Sequence, residues 1–364
     1  MTTAAPLEKD LTTLLKRICE TSAPTFDEGE RGQLVAELLG DAGLSPERDS
    51  AGNVTAAVPG GSGPRVLVAA HLDTVFAAPT DVTVKKRGAK LAAPGIGDNS
   101  ASLSVLVHYA RLSAELKRPR LTLAATVGEE GLGDLYGMRE LMRARAGEFD
   151  YVIALDGHLG TIVHQAVGSK RFEVQFEAVG GHSWGDYPSP SAVHALGEAV
   201  HALSTLELPK EPRSTLNVGQ VAGGTSINAI AQTASFNLDL RSLDAETLSR
   251  LAEDALTHIR RTARRHRVKV NINQVGDRAA VQVDNRALVK AARRALQACS
   301  VPVRTAASST DANASMAAGL PSIAFGVYRG GDAHRLSEWL EPASLSVGFR
   351  AFSLLLGALS ELKK

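Results

Sequence analysis

Val66-Leu67-Val68-Ala69-Ala70-His71-Leu72-Asp73 is an apolar run that closes on a histidine and an aspartate. Such a run reads as a buried strand. Side chains at i and i+2 of a strand share a face, so His71 and Asp73 point the same way. Two similar runs follow: residues 121–127 lead into Glu129-Glu130, and residues 151–155 into Asp156-Gly157-His158. Between them lies Gly95-Ile96-Gly97-Asp98, a glycine-flanked turn ahead of a helical pattern at Leu103, Leu106, Val107 and Ala110. Residues 135–146 also read as a helix. Alternating strands and helices predict an α/β fold with a mainly parallel sheet covered on both faces. Strand C-termini of such a sheet face one crevice. Separate oxygen and imidazole donors are thereby brought to one place.

Working outward, residues 7–18 and 31–39 read as helices, and 53–58 and 65–70 as strands. The intervening Pro59-Gly60-Gly61-Ser62-Gly63-Pro64 lacks the lysine and helix of a phosphate loop and reads as a hairpin connection. The character changes near Gly168. Residues 171–179 alternate polar and apolar, the mark of a strand with one wet face. A helix (192–206), strands (215–221 and 233–240), a long helix (245–264) and a strand (268–275) complete a βαββαβ unit. The buried pattern returns beyond Asp284 with a helix at 287–298, a strand at 322–325 and a helix at 344–359. The expected organisation is a discontinuous catalytic domain, 1–167 and 279–364, interrupted by an inserted α+β domain, 168–278.

A length of 364 residues accommodates two domains, and 44% apolar residues supply a core for each. Aromatics at 4% argue against a base-stacking surface, and a net charge of +1 selects neither nucleic acid nor membrane as a partner. The basic stretch from His258 to Arg267 reads as a solvated helix end. No uninterrupted apolar run approaches the roughly 18 residues of a transmembrane helix. The N-terminal residues lack a basic region ahead of an apolar one, so no signal peptide is expected. Cys19 and Cys299 are lone thiols and fit a reducing, cytoplasmic setting.

Taken singly, each donor has an ordinary reading. His71 and Asp73 can be a structural pair; in a metal site, Asp73 would accept from the imidazole nitrogen that faces away from the metal. Asp98 can cap a helix. Glu129 and Glu130 can be solvated, although adjacent carboxylates at a strand end repel unless a cation or proton intervenes. His158 competes with Asp156 but ranks below it, because the strand end aims Asp156 at the crevice. His334 and Glu338 lie in a glycine-rich loop before the last helix. Together these residues supply three carboxylates, two histidines and a spare glutamate. With neutral imidazoles the donor charge is −3 against +4 for two divalent ions, and a bridging hydroxide balances it.

The order and spacing of these residues, from His71 to Glu338, resemble the co-catalytic zinc peptidases and deacylases. That group includes peptidase T, glutamate carboxypeptidase, carnosinase, aminoacylase and succinyl-diaminopimelate desuccinylase. The resemblance implies two zinc ions per subunit, with cobalt or manganese as substitutes. One would be held by His71, Asp98 and Asp156, the other by Asp98, Glu130 and His334, with Asp98 bridging. It implies Glu129 as general base and Asp73 as the residue orienting His71. Gly180-Gly181-His182-Ser183 resembles the segment carrying the lid histidine, which polarises the substrate carbonyl. Gly223-Gly224-Thr225-Ser226-Ile227-Asn228 and Asp239-Leu240-Arg241 resemble the segments whose asparagine and arginine bind a substrate carboxylate. Ser309-Thr310-Asp311-Ala312-Asn313 resembles a late loop of the group. The implied activity is hydrolysis of a short peptide by a metal-bridged hydroxide, with a homodimer formed through the inserted lid domain. An N-acyl amino acid deacylase and a non-catalytic binding protein on the same fold are the alternatives. Asn99-Ser100, Trp184 and Ala231 depart from the usual pattern near the pocket, so substrate choice does not transfer. Asp rather than Glu at 156 leans toward the peptidases.

Overall fold

The described chain opens with two amphipathic helices, α1 (Ala4–Cys19) and α2 (Gly29–Asp41). Leu7, Leu11, Leu14, Leu15 and Ile18 form the buried stripe of the first, at helical spacing. The computed structural model describes residues 4–362; residues 1–3 and 363–364, which the expected catalytic domain includes, lie outside the described residues. Strands β1 (Glu47–Arg48), β2 (Val54–Val58), β3 (Arg65–His71), β4 (Lys85–Arg87) and β5 (Lys90–Ala92) follow. Next come α3 (Ser102–Leu112), β6 (Arg120–Thr126), α4 (Tyr136–Arg145), β7 (Tyr151–Leu155) and β8 (Thr161–Ala166). A second unit contains β9 (Gly168–Glu177), β10 (Gly181–His182), α5 (Ala192–Ser204), β11 (Ser214–Gly223), β12 (Ala229–Ile230), β13 (Thr233–Ser242), α6 (Ala245–His266) and β14 (Lys269–Arg278). The chain finishes with α7 (Arg286–Ala298), β15 (Arg304–Ser308), α8 (Ala312–Ala317), β16 (Ser322–Phe325), β17 (Gly330–Gly331), β18 (Trp339–Leu340) and α9 (Pro342–Leu359). By its internal contacts it divides into one unit ending at Ala166 and resuming at Gln282, and another spanning Val167–Val281.

The first unit is built on an eight-stranded sheet of order β1-β2-β6-β3-β7-β16-β8-β15. Its centre, β6-β3-β7-β16, is parallel throughout. Alternate residues of each strand feed opposite faces. Val66, Val68 and Ala70 pack toward the large core with α1, α2, α3, α7 and α9, while Leu67 and Ala69 join Met138, Leu141 and Met142 of α4. Both faces are thus covered, as the continuous apolar runs require.

Two expectations are corrected, and some elements were not read. The turn from Pro59 to Pro64 does not connect a hairpin, because β6 lies between β2 and β3 and pairs with both. The turn instead spans the end of β6, where Ser62 N–H donates to the Arg118 carbonyl. Helix α9 is long and apolar enough to cross a membrane by composition alone. A single charge, Arg350, interrupts its apolar run without making the helix polar. It is a core helix here, with Leu345, Phe352, Leu355, Leu356 and Leu359 buried. The short strands β4, β5, β8, β15, β17 and β18 and helix α8 carry too little periodicity to be read from sequence.

The second unit is a four-stranded antiparallel sheet, β11-β13-β9-β14, with α5 and α6 on one face. Phe172, Val174 and Phe176 alternate inward along β9. Asp244 caps α6 by accepting from Thr247 N–H at 2.8 Å. The basic stretch does end that helix, and Arg265 and His266 both pair with Glu198 of α5.

Helix α9 approaches the sheet through Gly348, where an added Cβ would stand 1.9 Å from the Val327 carbonyl oxygen. Gly348→Ala is therefore expected to destabilise the chain by about 1–3 kcal/mol, seen as a lower denaturation midpoint. An unchanged midpoint would show that α9 is free to shift.

Candidate metal centre

Strand β3 ends at His71, in register with Thr126 of β6; Ala69 is in register with Ala154 of β7. The three strands are parallel neighbours, so their ends lie about 4.8 Å apart. His71, the Glu129-Glu130 pair past β6 and Asp156 past β7 therefore emerge at one sheet edge. Asp98 reaches the same place from the turn before α3. Gly95 holds φ at +72° there, and an added Cβ would meet the Thr74 side chain at 2.6 Å. The Asp98–Asn99 peptide is cis, and Asn99 Nδ2 donates to the Leu155 carbonyl at 2.9 Å, tying the turn to the end of β7. His334 arrives on the loop between β17 and β18.

The donor atoms converge. Asp98 Oδ1 lies 3.0 Å from His71 Nε2, and Asp98 Oδ2 lies 3.1 Å from His334 Nε2. His334 Nε2 is also 2.9 Å from Glu130 Oε1. His71, Asp98 and Asp156 offer three atoms within 4.8 Å of one another, and so do Asp98, Glu130 and His334. One carboxylate thus presents each oxygen to a different donor set. Asp98 does not act as a helix cap, and no side-chain cap bond is made at that helix start. His158 belongs to neither set; it packs against the Tyr328 ring. Burial grades from His71, Glu129 and Glu130, which are buried, through the partly exposed Asp98 and Asp156 to the exposed His334. The imidazole and carboxylate donors, the shared Asp98 and the spacing fit a pair of divalent cations.

The electrostatics make the same demand. Burial, followed by the charge of Asp98, pushes Asp156 up to about 7. Burial also acts to raise Asp98, but hydrogen bonds from His334 and His71 outweigh it and hold that carboxyl well below its usual range. Hydrogen bonds to Asp98 and Glu130 push His334 up to about 11. Against the opposing effect of burial, Asp73 and Asp98 raise His71 well above an ordinary imidazole. Crowded carboxylates and protonated imidazoles are what remains when protons occupy positions suited to cations.

A further layer holds these side chains. The fully buried Asp73 carboxylate accepts from the backbone N–H of Glu129, from that of Glu130 and from Thr25 Oγ1, each at 2.9 Å. The expected orienting bond to His71 is corrected in detail. His71 Nδ1 is 3.0 Å from the Asp73 backbone carbonyl and 3.5 Å from its carboxylate, which the other donors occupy. Glu338, buried, accepts from Gly95 N–H at 2.8 Å and from Gly97 and Asp98 N–H at 2.9 Å. Arg31, fully buried, donates to the Leu72 carbonyl between His71 and Asp73. Asp311 accepts from Thr126 Oγ1 at 2.6 Å and adds to the negative field on Asp156. Arg31, Thr25 and the role of Glu338 were beyond sequence reasoning, because Arg31 and Glu338 act on backbone groups, and Thr25 on a carboxylate, remote in the chain. Asp311 lay in a loop singled out by sequence without a role.

The remaining candidates belong to the second unit. His182 of β10 pairs with Ala229 of β12, and Ser183 N–H donates to the Asn228 carbonyl, so His182 and Asn228 are neighbours. Nδ1 of His182 accepts from Trp184 N–H and Gly185 N–H, both at 3.2 Å. The neutral ring therefore carries its proton on Nε2. Asn228 Oδ1 accepts from Ser226 Oγ. Arg241 donates through Nε to Asp239, which also pairs with Arg171, so a strand-end salt bridge is present.

Two outcomes follow for metal binding. The hydrogen bonds to Asp98 and Glu130 favour the protonated His334 ring, so loading a cation must expel that proton. Zinc affinity is expected to rise about tenfold per pH unit for each displaced proton, with proton release measured by calorimetry in buffers of different ionisation enthalpy. A pH-independent affinity between pH 6 and 8 would contradict the donor set. Glu338→Gln, which loses an acceptor for the Asp98 turn, is expected to weaken zinc binding roughly 10–100-fold, measured by chelator competition.

Comparison with known proteins matches residues 67–358 to a family described as peptidase family M20/M25/M40. A probable carboxypeptidase of Ajellomyces capsulatus is 25% identical over 299 residues, covering 69% of this chain; the chain spans 64% of that curated relative's length. A tripeptidase structure from Staphylococcus aureus superposes with a TM-score of 0.82 at 21% identity, covering 98% of this chain and 99% of that one. The Bacillus subtilis YxeP structure, described as a dinuclear metal binding peptidase, gives 0.68 at 17% identity, covering 98% and 99%. Likenesses at these identities establish the fold.

Proposed function

The chain belongs to peptidase family M20/M25/M40, and from that premise we propose that it is a metal-dependent hydrolase of amide bonds in short peptides with a free carboxylate. The observation that carries this reading is the Asp98 carboxylate, whose two oxygens face His71 and His334. His71, Asp98 and Asp156 would hold one cation, and Asp98, Glu130 and His334 the other. Zinc is the first choice, with cobalt or manganese as substitutes. When bound, such a pair polarises a carbonyl and acidifies water. Glu129 takes the proton of the attacking water and returns it to the leaving amine. Its backbone is clamped beside Glu130 by Asp73. His182, with its proton on Nε2, donates to the substrate carbonyl oxygen as charge develops there. Asn228 and Arg241 bind the substrate carboxylate. Asp239 already engages Arg241 Nε, which leaves the terminal nitrogens to form the fork.

The inserted unit serves as a lid and as the face of a homodimer. The outer position of β11 in its sheet, with most of its residues partly or fully exposed, supports strand-edge pairing. Two unpaired thiols among the described residues support a reducing, cytoplasmic setting. The relatives' names favour a peptidase over a deacylase.

A panel of di- and tripeptides set against N-acetyl and N-succinyl amino acids, with zinc, cobalt or manganese added, tests the reading. Turnover of peptides is expected; turnover of acyl compounds alone would replace it with a deacylase, and none at all with a binding protein. Glu129→Gln is expected to retain two metals by elemental analysis while losing roughly 10²–10⁴ in kcat. Parental rates would remove Glu129 from the reaction. His182→Ala should lower kcat by about 10²–10³; an unchanged kcat would make the histidine structural.

A further inference from the structure

Large apolar side chains are exposed on the segments that carry the metal donors. Val75 lies two residues past Asp73, Leu132 two past Glu130, and Leu336 two past His334. The strongest case is Phe26, a residue 62% exposed whose backbone sits at φ +70°. Glycine adopts that conformation freely and aromatic residues rarely do. A largely exposed ring on an unfavourable backbone buries little apolar area, so its position asks for another explanation.

The surroundings supply one. Glu28 Oε1 accepts from Phe26 N–H and from Gly128 N–H, both at 2.9 Å, locking Phe26 to the residue before Glu129. Neighbouring Thr25 donates to the Asp73 carboxylate. On the other side, Tyr136 N–H donates to the Gly128 carbonyl at 3.0 Å. The two rings meet edge to face with centroids 6.1 Å apart, and Tyr136 is 41% exposed. A Cβ added at Gly128 would lie 3.2 Å from Tyr136 Cβ and 3.4 Å from Phe26 Cε1, so the pair rests against Gly128 itself. Two partly exposed aromatic rings are thus pinned to the backbone of the residue next to Glu129.

We propose that Phe26 and Tyr136 form an apolar subsite for the substrate side chain flanking the scissile amide, selecting peptides with an aromatic or large aliphatic residue there. Ring edges and faces left open by the pair suit another aromatic group, and removal of apolar area from water supplies the preference. This subsite rests on the amide-hydrolase reading and narrows its substrate class.

The test uses the zinc-loaded full chain, with kcat/KM measured on Ala-Ala, Phe-Ala and Ala-Phe. The parent is expected to favour one phenylalanine peptide over Ala-Ala by roughly 10–100-fold. Phe26→Gly removes the ring where glycine relieves the backbone, so its thermal midpoint should not fall, while the preference drops at least about tenfold. A parent without preference, or a Phe26→Gly variant whose ratio stays within about twofold of the parent, overturns the subsite. If the parent hydrolyses none of the three, the proposed function fails for dipeptides instead. The same ratio is then taken from calorimetric binding of the three peptides, with the same outcomes deciding the subsite.

Discussion

The Asp73 carboxylate is the point on which the centre depends. It is buried, and its charge is met by two backbone N–H groups, the Thr25 hydroxyl and the nearby His71 ring. Burial alone would raise its pKa, yet His71 and the N–H groups of Glu130 and Glu129 outweigh that and lower it. Hydrogen bonds to a charged acceptor contribute about 1.5–3 kcal/mol each. They also couple the end of β3 to the end of β6, so that His71, Glu129 and Glu130 share one rigid frame. Arg31 fastens that frame from behind through the Leu72 carbonyl and stays charged at neutral pH, since burial lowers it only to about 10.

How much of this is readable from sequence depends on whether the signal is local. The runs before His71, Glu129 and Asp156 are readable because a strand buried on both faces must be continuously apolar. Their parallel alternation with helices then puts the donors at one edge. Strand order is not local, and the placement of β6 between β2 and β3 is where the hairpin expectation fails. The supporting layer is less legible still. Glu28, Arg31 and Glu338 act on backbone groups far along the chain and Thr25 on a distant carboxylate, and nothing in their own neighbourhoods announces those partners. Even at His71 the side-chain pattern suggested a carboxylate acceptor, while the nearer oxygen belongs to the main chain.

The second unit illustrates a different economy of parts. Its helices and one sheet face form a conventional core, and its candidate chemistry sits on the short β10–β12 pair and on β13. Backbone N–H groups set the proton position of His182 without any partner side chain. Asp239 joins Arg171 and Arg241 across adjacent strands, so one carboxylate fixes two guanidinium groups. Here the alternating pattern of β9 and β13 was enough to recover the strands, because one face is apolar and the other wet.

The interrupted architecture also sets an order of assembly during synthesis. Ribosomes make the chain from its N-terminus, and Asp98 needs both His71 and His334 to complete its two pairings. No nascent fragment ending before His334 contains the full set of donors, although the whole inserted unit has by then been made. The last loop to leave the ribosome before α9 is the one that closes the centre. Before it emerges, of the two donor sets that share Asp98 only that of His71, Asp98 and Asp156 is complete.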